Sequence, residues 1–132
     1  MSNLSNELAG KIPHAIIVED EESLSTIFRK AIDMAGYSVE VIANGQEALN
    51  RLADFTPELL LLDLHLPQIT GDEIIDKLRK NPDFDNTRII LATADARLGN
   101  HVESKADLVL IKPIRFSTLK RLASRFNPMT TA

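Results

Sequence analysis

The 132-residue chain contains no cysteine and no tryptophan, and its uninterrupted apolar runs are only about four residues long. Without cysteine, the protein can have no disulfide bond, thiolate metal site or cysteine nucleophile. A membrane-spanning helix needs about 20 apolar residues, and a signal peptide needs an apolar segment near its start. The sequence has neither pattern. These absences predict a cytoplasmic protein that does not associate with membranes.

The chain also has fewer basic than acidic residues, with 15 Lys and Arg against 19 Asp and Glu, and its formal net charge is -4. This balance disfavours direct nucleic-acid binding, which depends on neutralising phosphates. With 44% hydrophobic and 26% charged residues, the composition is that of an ordinary globular domain. The length predicts one domain, which we place at residues 13–127 between loose tails at 1–12 and 128–132.

Four short apolar runs without polar alternation predict strands of a parallel sheet that are covered on both faces. The runs are Ala15 to Val18, Leu59 to Leu62, Ile89 to Ala92 and Leu108 to Ile111. A fifth strand, from Tyr37 to Ala43, alternates apolar and polar residues and is predicted to lie at an edge.

Segments with helical spacing of apolar residues lie between and after these strands, the least regular being 96–104. Strands that alternate with helices predict right-handed crossovers and an open, doubly wound α/β fold of the (βα)5 type. Ligands bind such sheets beyond the carboxyl ends of the strands.

Polar residues directly follow four of the five predicted strands. They are Glu19 and Asp20, then Asp63, Thr93 and Lys112. Crowded carboxylates repel one another unless a cation neutralises them, and oxygen ligands favour a hard cation such as Mg²⁺. With a lysine beside the metal, the same edge would suit a phosphoryl group, and a neighbouring carboxylate could accept it.

The sequence resembles the receiver domains of bacterial two-component response regulators, of the single-domain, chemotaxis-regulator type. The resemblance runs from about His14 to Phe126 and depends on four motifs in order. These are Ile16-Ile17-Val18-Glu19-Asp20-Glu21, Leu62-Asp63-Leu64-His65-Leu66-Pro67 with Gly71, Thr93-Ala94, and Lys112-Pro113. It implies a flavodoxin-like three-layer fold with sheet order 2-1-3-4-5.

The resemblance also implies residue roles. Asp63 would accept a phosphoryl group from a phosphohistidine of a histidine kinase or phosphotransfer protein. Glu19, Asp20, Asp63 and the backbone carbonyl of His65 would hold Mg²⁺. The side chains of His65 and Asp95 would face the phosphoryl group and tune its hydrolysis.

The resemblance implies that Thr93 and Lys112 contact phosphoryl oxygens and transmit the signal. It also implies that the Lys112-Pro113 peptide is cis, as is common in the family. Val109 departs from the pattern, because an aromatic residue usually occupies this position and couples to the threonine. Lys105 stands where glycine is common, and the stretch from Thr93 to Lys112 is short.

Three functions remain open at this point. The first is a receiver that is phosphorylated on Asp63, without being an enzyme, and signals by contact with a downstream protein partner. The second is a receiver-like binding module that works without phosphorylation, which the changes at Val109 and Lys105 favour. The third, weaker, is a small Mg²⁺-dependent phosphatase that uses Asp63 catalytically, although no cap domain or substrate pocket is evident.

Overall fold

A computed structural model describes residues 12–129 of the chain. Strands and helices alternate, as the sequence predicts. The strands are β1 (His14–Val18), β2 (Ser38–Ile42), β3 (Leu59–Asp63), β4 (Arg88–Thr93) and β5 (Leu108–Ile111). The helices are α1 (Glu22–Met34), α2 (Gly45–Asp54), α3 (Gly71–Arg79), α4 (Ala96–Val102) and α5 (Phe116–Phe126). Short 3-10 turns at Pro82–Phe84 and Glu103–Lys105 precede β4 and β5.

The five strands form one parallel sheet in the order β2-β1-β3-β4-β5. This confirms the predicted doubly wound fold and its sheet order, and it confirms that β2 lies at an edge. Because β1 and β3 are neighbours in the middle of the sheet, the ends of β1, β3 and β4 converge on one crevice.

Successive residues of each strand point to opposite faces of the sheet, which therefore separates two apolar cores. In β1, Ile16 and Val18 pack with α2, α3 and α4, whereas Ala15 and Ile17 pack with α1 and α5. The central strand β3 is buried along its whole length. Apolar side chains on both faces explain why the sequence of the inner strands shows no polar alternation.

Strand β5 differs from its prediction, because it is only half-buried and Ile111 at its end is 45% exposed. The expectation of a strand covered on both faces is wrong here. β5 is the second edge of the sheet and pairs only with β4, and the α4 beside it has only 7 residues. A short apolar run does not reveal whether both flanking layers extend far enough to cover it.

Side chains fix the beginnings of three helices. Asn44 accepts a hydrogen bond from the backbone of Glu47 at 2.8 Å, and Thr70 accepts one from Glu73 at 3.2 Å. Asp95 accepts from Arg97 at the start of α4. These caps satisfy amide groups that have no partner within the helix.

Among residues 12–129, no helix combines the length and the apolar character that crossing a membrane requires. The predicted tails, 1–12 and 128–132, fall largely outside the described residues, so the domain boundaries stay a prediction.

Candidate functional site

Backbone hydrogen bonds continue the sheet into the loops at its carboxyl end. Glu19 donates to the carbonyl of Ile42 at 3.1 Å, Leu64 to Ala92 at 3.0 Å and Lys112 to Thr93 at 2.8 Å. These bonds hold the loop after β1 against the end of β2 and the loops after β3 and β5 against the end of β4, so side chains far apart in the sequence meet at a defined place.

Lys112 lies between two buried carboxylates at this edge. Its Nζ is 3.0 Å from Oε1 of Glu19 and 3.4 Å from Oδ1 of Asp63. The side chains of Glu19 and Asp63 are 2% and 3% exposed, and that of Lys112 is 18% exposed. The structure therefore brings together three of the residues that the sequence singled out, and their charges interact in a place of low solvent screening.

Burial raises the pKa of the Glu19 carboxyl, and the negative charge of Asp63 raises it further, against the lowering effect of the hydrogen bond from Lys112. For Lys112, burial acts to lower the pKa, but the hydrogen bond to Glu19 and the charges of Asp63 and Glu19 outweigh it and raise the pKa. The raised pKa of Lys112 keeps the lysine a cation between the two carboxyl groups.

Asp20 adds a third carboxylate, exposed at the mouth of the crevice. One carboxylate oxygen from each of Glu19, Asp20 and Asp63 can be chosen so that all three lie within 4.8 Å of one another. Three hard oxygen donors facing a single ammonium group leave negative charge uncompensated, which suits a divalent cation. The donor set fits Mg²⁺, as the sequence predicts.

Gly71 allows α3 to begin directly against the site. A β-carbon at this position would collide with the carbonyl oxygen of Asp63 and would lie 2.8 Å from Cα of Leu64. The amide of Gly71 donates to the carbonyl of Leu64 at 3.3 Å. Only glycine lets the start of the helix approach the end of β3 this closely.

His65 contacts the site through its backbone and its side chain. Its amide donates to Oδ1 of Asp63 at 3.1 Å, the same oxygen that faces Lys112. Its imidazole Nε2 is 2.9 Å from the hydroxyl oxygen of Thr93. Thr93 is fully buried, and its hydroxyl also accepts a hydrogen bond from the amide of Asp95 at 3.0 Å.

The carboxylate of Asp95 caps α4, accepting from the amides of Arg97 at 3.0 Å and Leu98 at 3.4 Å. Its predicted influence on hydrolysis stays a prediction. The peptide bond between Lys112 and Pro113 is cis.

Val109 lies on β5 against the middle of α4. A β-carbon at Gly99 of α4 would lie 3.0 Å from Cγ1 of Val109 and 3.3 Å from Cγ2 of Thr93. The helix therefore packs so closely on β5 that small side chains fill the contact.

Lys105, the other departure, forms an ion pair with Asp76 of α3 at 2.6 Å. A second carboxylate of α3, that of Asp72, lies 3.7 Å from the ammonium group of Lys105.

The profile of the response regulator receiver domain matches residues 15–124, which span all five strands and most of α5. This chain belongs to the receiver domain family.

Curated relatives agree with this assignment. The receiver is 36% identical over 115 residues to the phosphate regulon transcriptional regulatory protein PhoB of Rhizobium meliloti, covering 85% of this chain and 50% of PhoB. It is 34% identical over 85 residues to the polar-differentiation response regulator DivK of Brucella anthropi, covering 64% of this chain and 69% of DivK. The receiver thus spans half of PhoB, the remainder of which has no counterpart in the alignment.

Solved structures share the fold. The chemotaxis response regulator CheY4 of Vibrio cholerae superposes with a TM-score of 0.79 at 24% identity, covering 88% of this chain and 99% of CheY4. A signal receiver domain of a signal transduction histidine kinase from Syntrophus aciditrophicus gives 0.77 at 27% identity, covering 86% and 89%. The same architecture therefore occurs in a chemotaxis response regulator and in a receiver domain of a histidine kinase.

Sequence reasoning found the strand-end residues of this receiver but missed the contact between the His65 ring and Thr93. A signal for it was present. β3 and β4 are neighbours, with Asp63 opposite Ala92 in the register. Residues just beyond Asp63 must therefore pass close to Thr93. The contact of Gly99 with Val109 had no comparable signal, because it depends on how closely α4 approaches the sheet.

Proposed function

We propose that this receiver accepts a phosphoryl group on Asp63 from a phosphohistidine of a histidine kinase or phosphotransfer protein. The observation that carries the proposal is the contact of Lys112 with the buried carboxylates of Glu19 and Asp63, with Asp20 at the mouth of the site. A buried carboxylate beside a fixed ammonium group and further carboxylates is the arrangement that phosphoryl transfer requires, because the chemistry depends on positioning and on charge neutralisation.

Mg²⁺ would be held by the carboxylates of Glu19, Asp20 and Asp63, with the backbone carbonyl of His65 as a further oxygen donor. When bound, the cation supplies neutralisation of the negative charge on the oxygens of the transferred group. The excess of carboxylates over ammonium groups in the described site supports this assignment.

In the proposed step, a carboxylate oxygen of Asp63 forms a bond to phosphorus while the bond between phosphorus and the histidine nitrogen of the donor breaks. The electron pair of that bond stays with the imidazole, which takes a proton as it leaves. Lys112 would pair with one phosphoryl oxygen, and the hydroxyl of Thr93 would donate to another. The product is an acyl phosphate, and the receiver acts as a stoichiometric acceptor.

The output would be contact with a downstream protein. Phosphorylation adds about -1.5 to -2 charges, and Lys112 and Thr93 are the groups placed to respond to it. The formal net charge of -4 favours a protein partner over the backbone of a nucleic acid. The cytoplasmic location predicted from the sequence stays a prediction.

Intact mass measured after incubation with acetyl phosphate and Mg²⁺ tests the proposal. We expect one phosphoryl adduct per chain that depends on Mg²⁺, that is absent in Asp63→Asn, and that persists in the control Asp54→Asn, an exposed position at the end of α2. An adduct that survives in Asp63→Asn would overturn the assignment. Continuous turnover of a small phosphate ester would favour a phosphatase instead.

A second candidate function, the binding module that needs no phosphorylation, is favoured by the packing of Val109. Because this valine fills the narrow contact between β5 and α4 around Gly99, α4 is fixed by apolar packing rather than by a mobile aromatic ring. Absence of any adduct in a folded sample, with another receiver labelled in parallel, would support this function.

A further inference from the structure

The hydroxyl of the buried Thr93 is in hydrogen-bond contact with an exposed side chain, that of His65. Thr93 has 0% exposure, whereas His65 is exposed to solvent. The Nε2 to Oγ1 distance of 2.9 Å is that of a hydrogen bond with either neutral tautomer, because one of the two atoms carries the proton in each case. The ring therefore binds the hydroxyl.

The other surroundings of Thr93 hold it in the same orientation. Its hydroxyl oxygen accepts from the amide of Asp95 at 3.0 Å and lies 3.4 Å from the carbonyl oxygen of Asp95. Its methyl group faces Gly99 of α4. Rotation of the side chain about χ1 would take the hydroxyl away from His65 and the methyl group away from Gly99, so the rotamer is coupled to both His65 and α4.

We propose that the His65 imidazole is a positioning residue that restrains Thr93 in the unphosphorylated protein and must leave it before the hydroxyl contacts a phosphoryl group. This inference rests on the proposed phosphorylation of Asp63. His65 follows Asp63 by two residues, and its amide binds Oδ1 of Asp63. A group arriving on Asp63 therefore acts directly on the segment that carries the ring.

The restraint by His65 couples a side chain to the hydroxyl of Thr93, a coupling that Val109 cannot provide. A valine has neither a ring nor a polar group with which to couple to the threonine hydroxyl, and its Cγ1 is committed to the contact with Gly99. In this receiver the side chain that competes for Thr93 comes from the loop after β3 and not from β5. Removing it should raise the population of the state that is ready to react.

The test compares the rate of phosphoryl adduct formation with acetyl phosphate and Mg²⁺ in the wild type and in His65→Ala. Loss of one hydrogen bond predicts a rate increase of about twofold to tenfold. His65→Gln, whose amide can still bond to Thr93, should remain close to the wild type. His14→Ala, an exposed histidine at the opposite end of β1, should not change the rate.

Two further measurements separate the restraint from a general structural effect. In a Thr93→Val background, which removes the hydroxyl and keeps the shape, His65→Ala should have no additional effect. In the unphosphorylated protein, the χ1 rotamer population of Thr93, measured from three-bond ¹³C couplings, should spread over more rotamers in His65→Ala and not in His14→Ala.

An adduct that forms in His65→Ala at the wild-type rate or more slowly would overturn this inference and leave the proposed function intact. A rotamer population of Thr93 that does not change in His65→Ala would do the same. Absence of an adduct in the wild type would instead remove the proposed function, and this inference with it. The two failures are therefore distinguishable.

Discussion

At the scale of single residues, Lys112 neutralises only part of the negative charge that converges on the site. Glu19 and Asp63 lie within 3.0 Å and 3.4 Å of its ammonium group, and Asp20 completes a set of three carboxylates. Buried charges without full compensation reduce stability, and functional sites commonly retain such groups. We therefore expect the site of this receiver to reduce the stability of the protein in the absence of a metal.

Glu19→Gln should raise the free energy of unfolding at pH 7 in metal-free buffer. Because the pKa of Glu19 is raised in the folded state, the stability that its neutral form provides is present below about pH 4.3, its unfolded value, and is lost as the pH rises through the folded value. The glutamine avoids that loss. Thermal unfolding across pH 3 to 8 measures the difference, which should shrink toward the acidic end.

Glu103→Gln, an exposed position after α4, is the matched control and should leave stability unchanged. A lower melting temperature for Glu19→Gln at pH 7 would mean that the ion pair with Lys112 outweighs the burial of the charge.

Among the residues of the site, the sequence predicts some contacts and not others. That Glu19, Asp63, Thr93 and Lys112 would converge followed from their places after successive strands, since parallel strands end at the same edge. The binding of the His65 ring to Thr93 depends on a side-chain rotamer and a loop path, which no periodicity encodes.

At the scale of secondary-structure elements, the start of α3 approaches the end of β3 so closely that no side chain fits between them. Gly71 brings the first turn of α3 against the carbonyl of Asp63, and Thr70 caps the same turn. The position of the helix is thus fixed by a backbone contact immediately behind the proposed acceptor.

Gly71→Ala should push α3 away from β3, because the added methyl group has no space beside two backbone atoms. We expect a loss of about 1 to 3 kcal/mol in the free energy of unfolding, the usual cost of overpacking. Urea unfolding measures this loss. Asp83→Ala, an exposed position in the turn after α3, is the control, and equal stabilities of the two variants would contradict the proposed role of the glycine.

Helix α4 shows why the length of a helix and the burial of its neighbouring strand are harder to predict than the order of helices and strands along the chain. The sequence gives it little helical spacing, and the helix ends after 7 residues in a 3-10 turn that Lys105 joins to α3 through Asp76. Its shortness leaves β5 half-covered. The strand was recognised correctly, but its burial was not, because burial depends on the length of the neighbouring layer.

At the scale of the whole molecule, Tyr37 joins the segment before β2 to the last helix. Its hydroxyl, just before β2, donates to the carbonyl of Ala123 in α5 at 2.8 Å. Burial raises the pKa of this phenol, and the charge of Glu58 raises it further. The neutral phenol is therefore the form that the fold requires.

The stability contributed by Tyr37 should be complete below about pH 10, its unfolded value, and should be lost as the pH rises further toward the folded value. Tyr37→Phe should cost about 0.5 to 1.5 kcal/mol at pH 7, the value of one hydrogen bond. It should also weaken the decline in stability above pH 10. Denaturant unfolding at pH 7 and pH 10.5 measures both effects.

Because the pKa of Lys112 is also raised, some alkaline decline should remain in Tyr37→Phe. A decline identical to that of the wild type would show that the phenol does not contribute to it. Tyr37 is buried, so both proteins should first be compared by circular dichroism at pH 7.

The overall architecture was predictable because the strand patterns, the helix patterns and their order along the chain all favour the same fold. Four apolar runs, one alternating strand and intervening helices allow few topologies once crossovers must be right-handed. The order of the strands came from the resemblance to receivers and not from periodicity. How closely the layers approach one another, as at Gly71 and Gly99, required the structure.

The division of the interior into two cores has an evolutionary consequence. The side chains that pack with α2, α3 and α4 are separated by the sheet from those that pack with α1 and α5. Substitutions on opposite faces share few contacts, so their effects on stability should add. The departures at Lys105 and Val109 involve the α4 side of the sheet. During divergence, substitutions around α4 can therefore accumulate without disturbing the packing of α1 and α5 against the other face of the sheet.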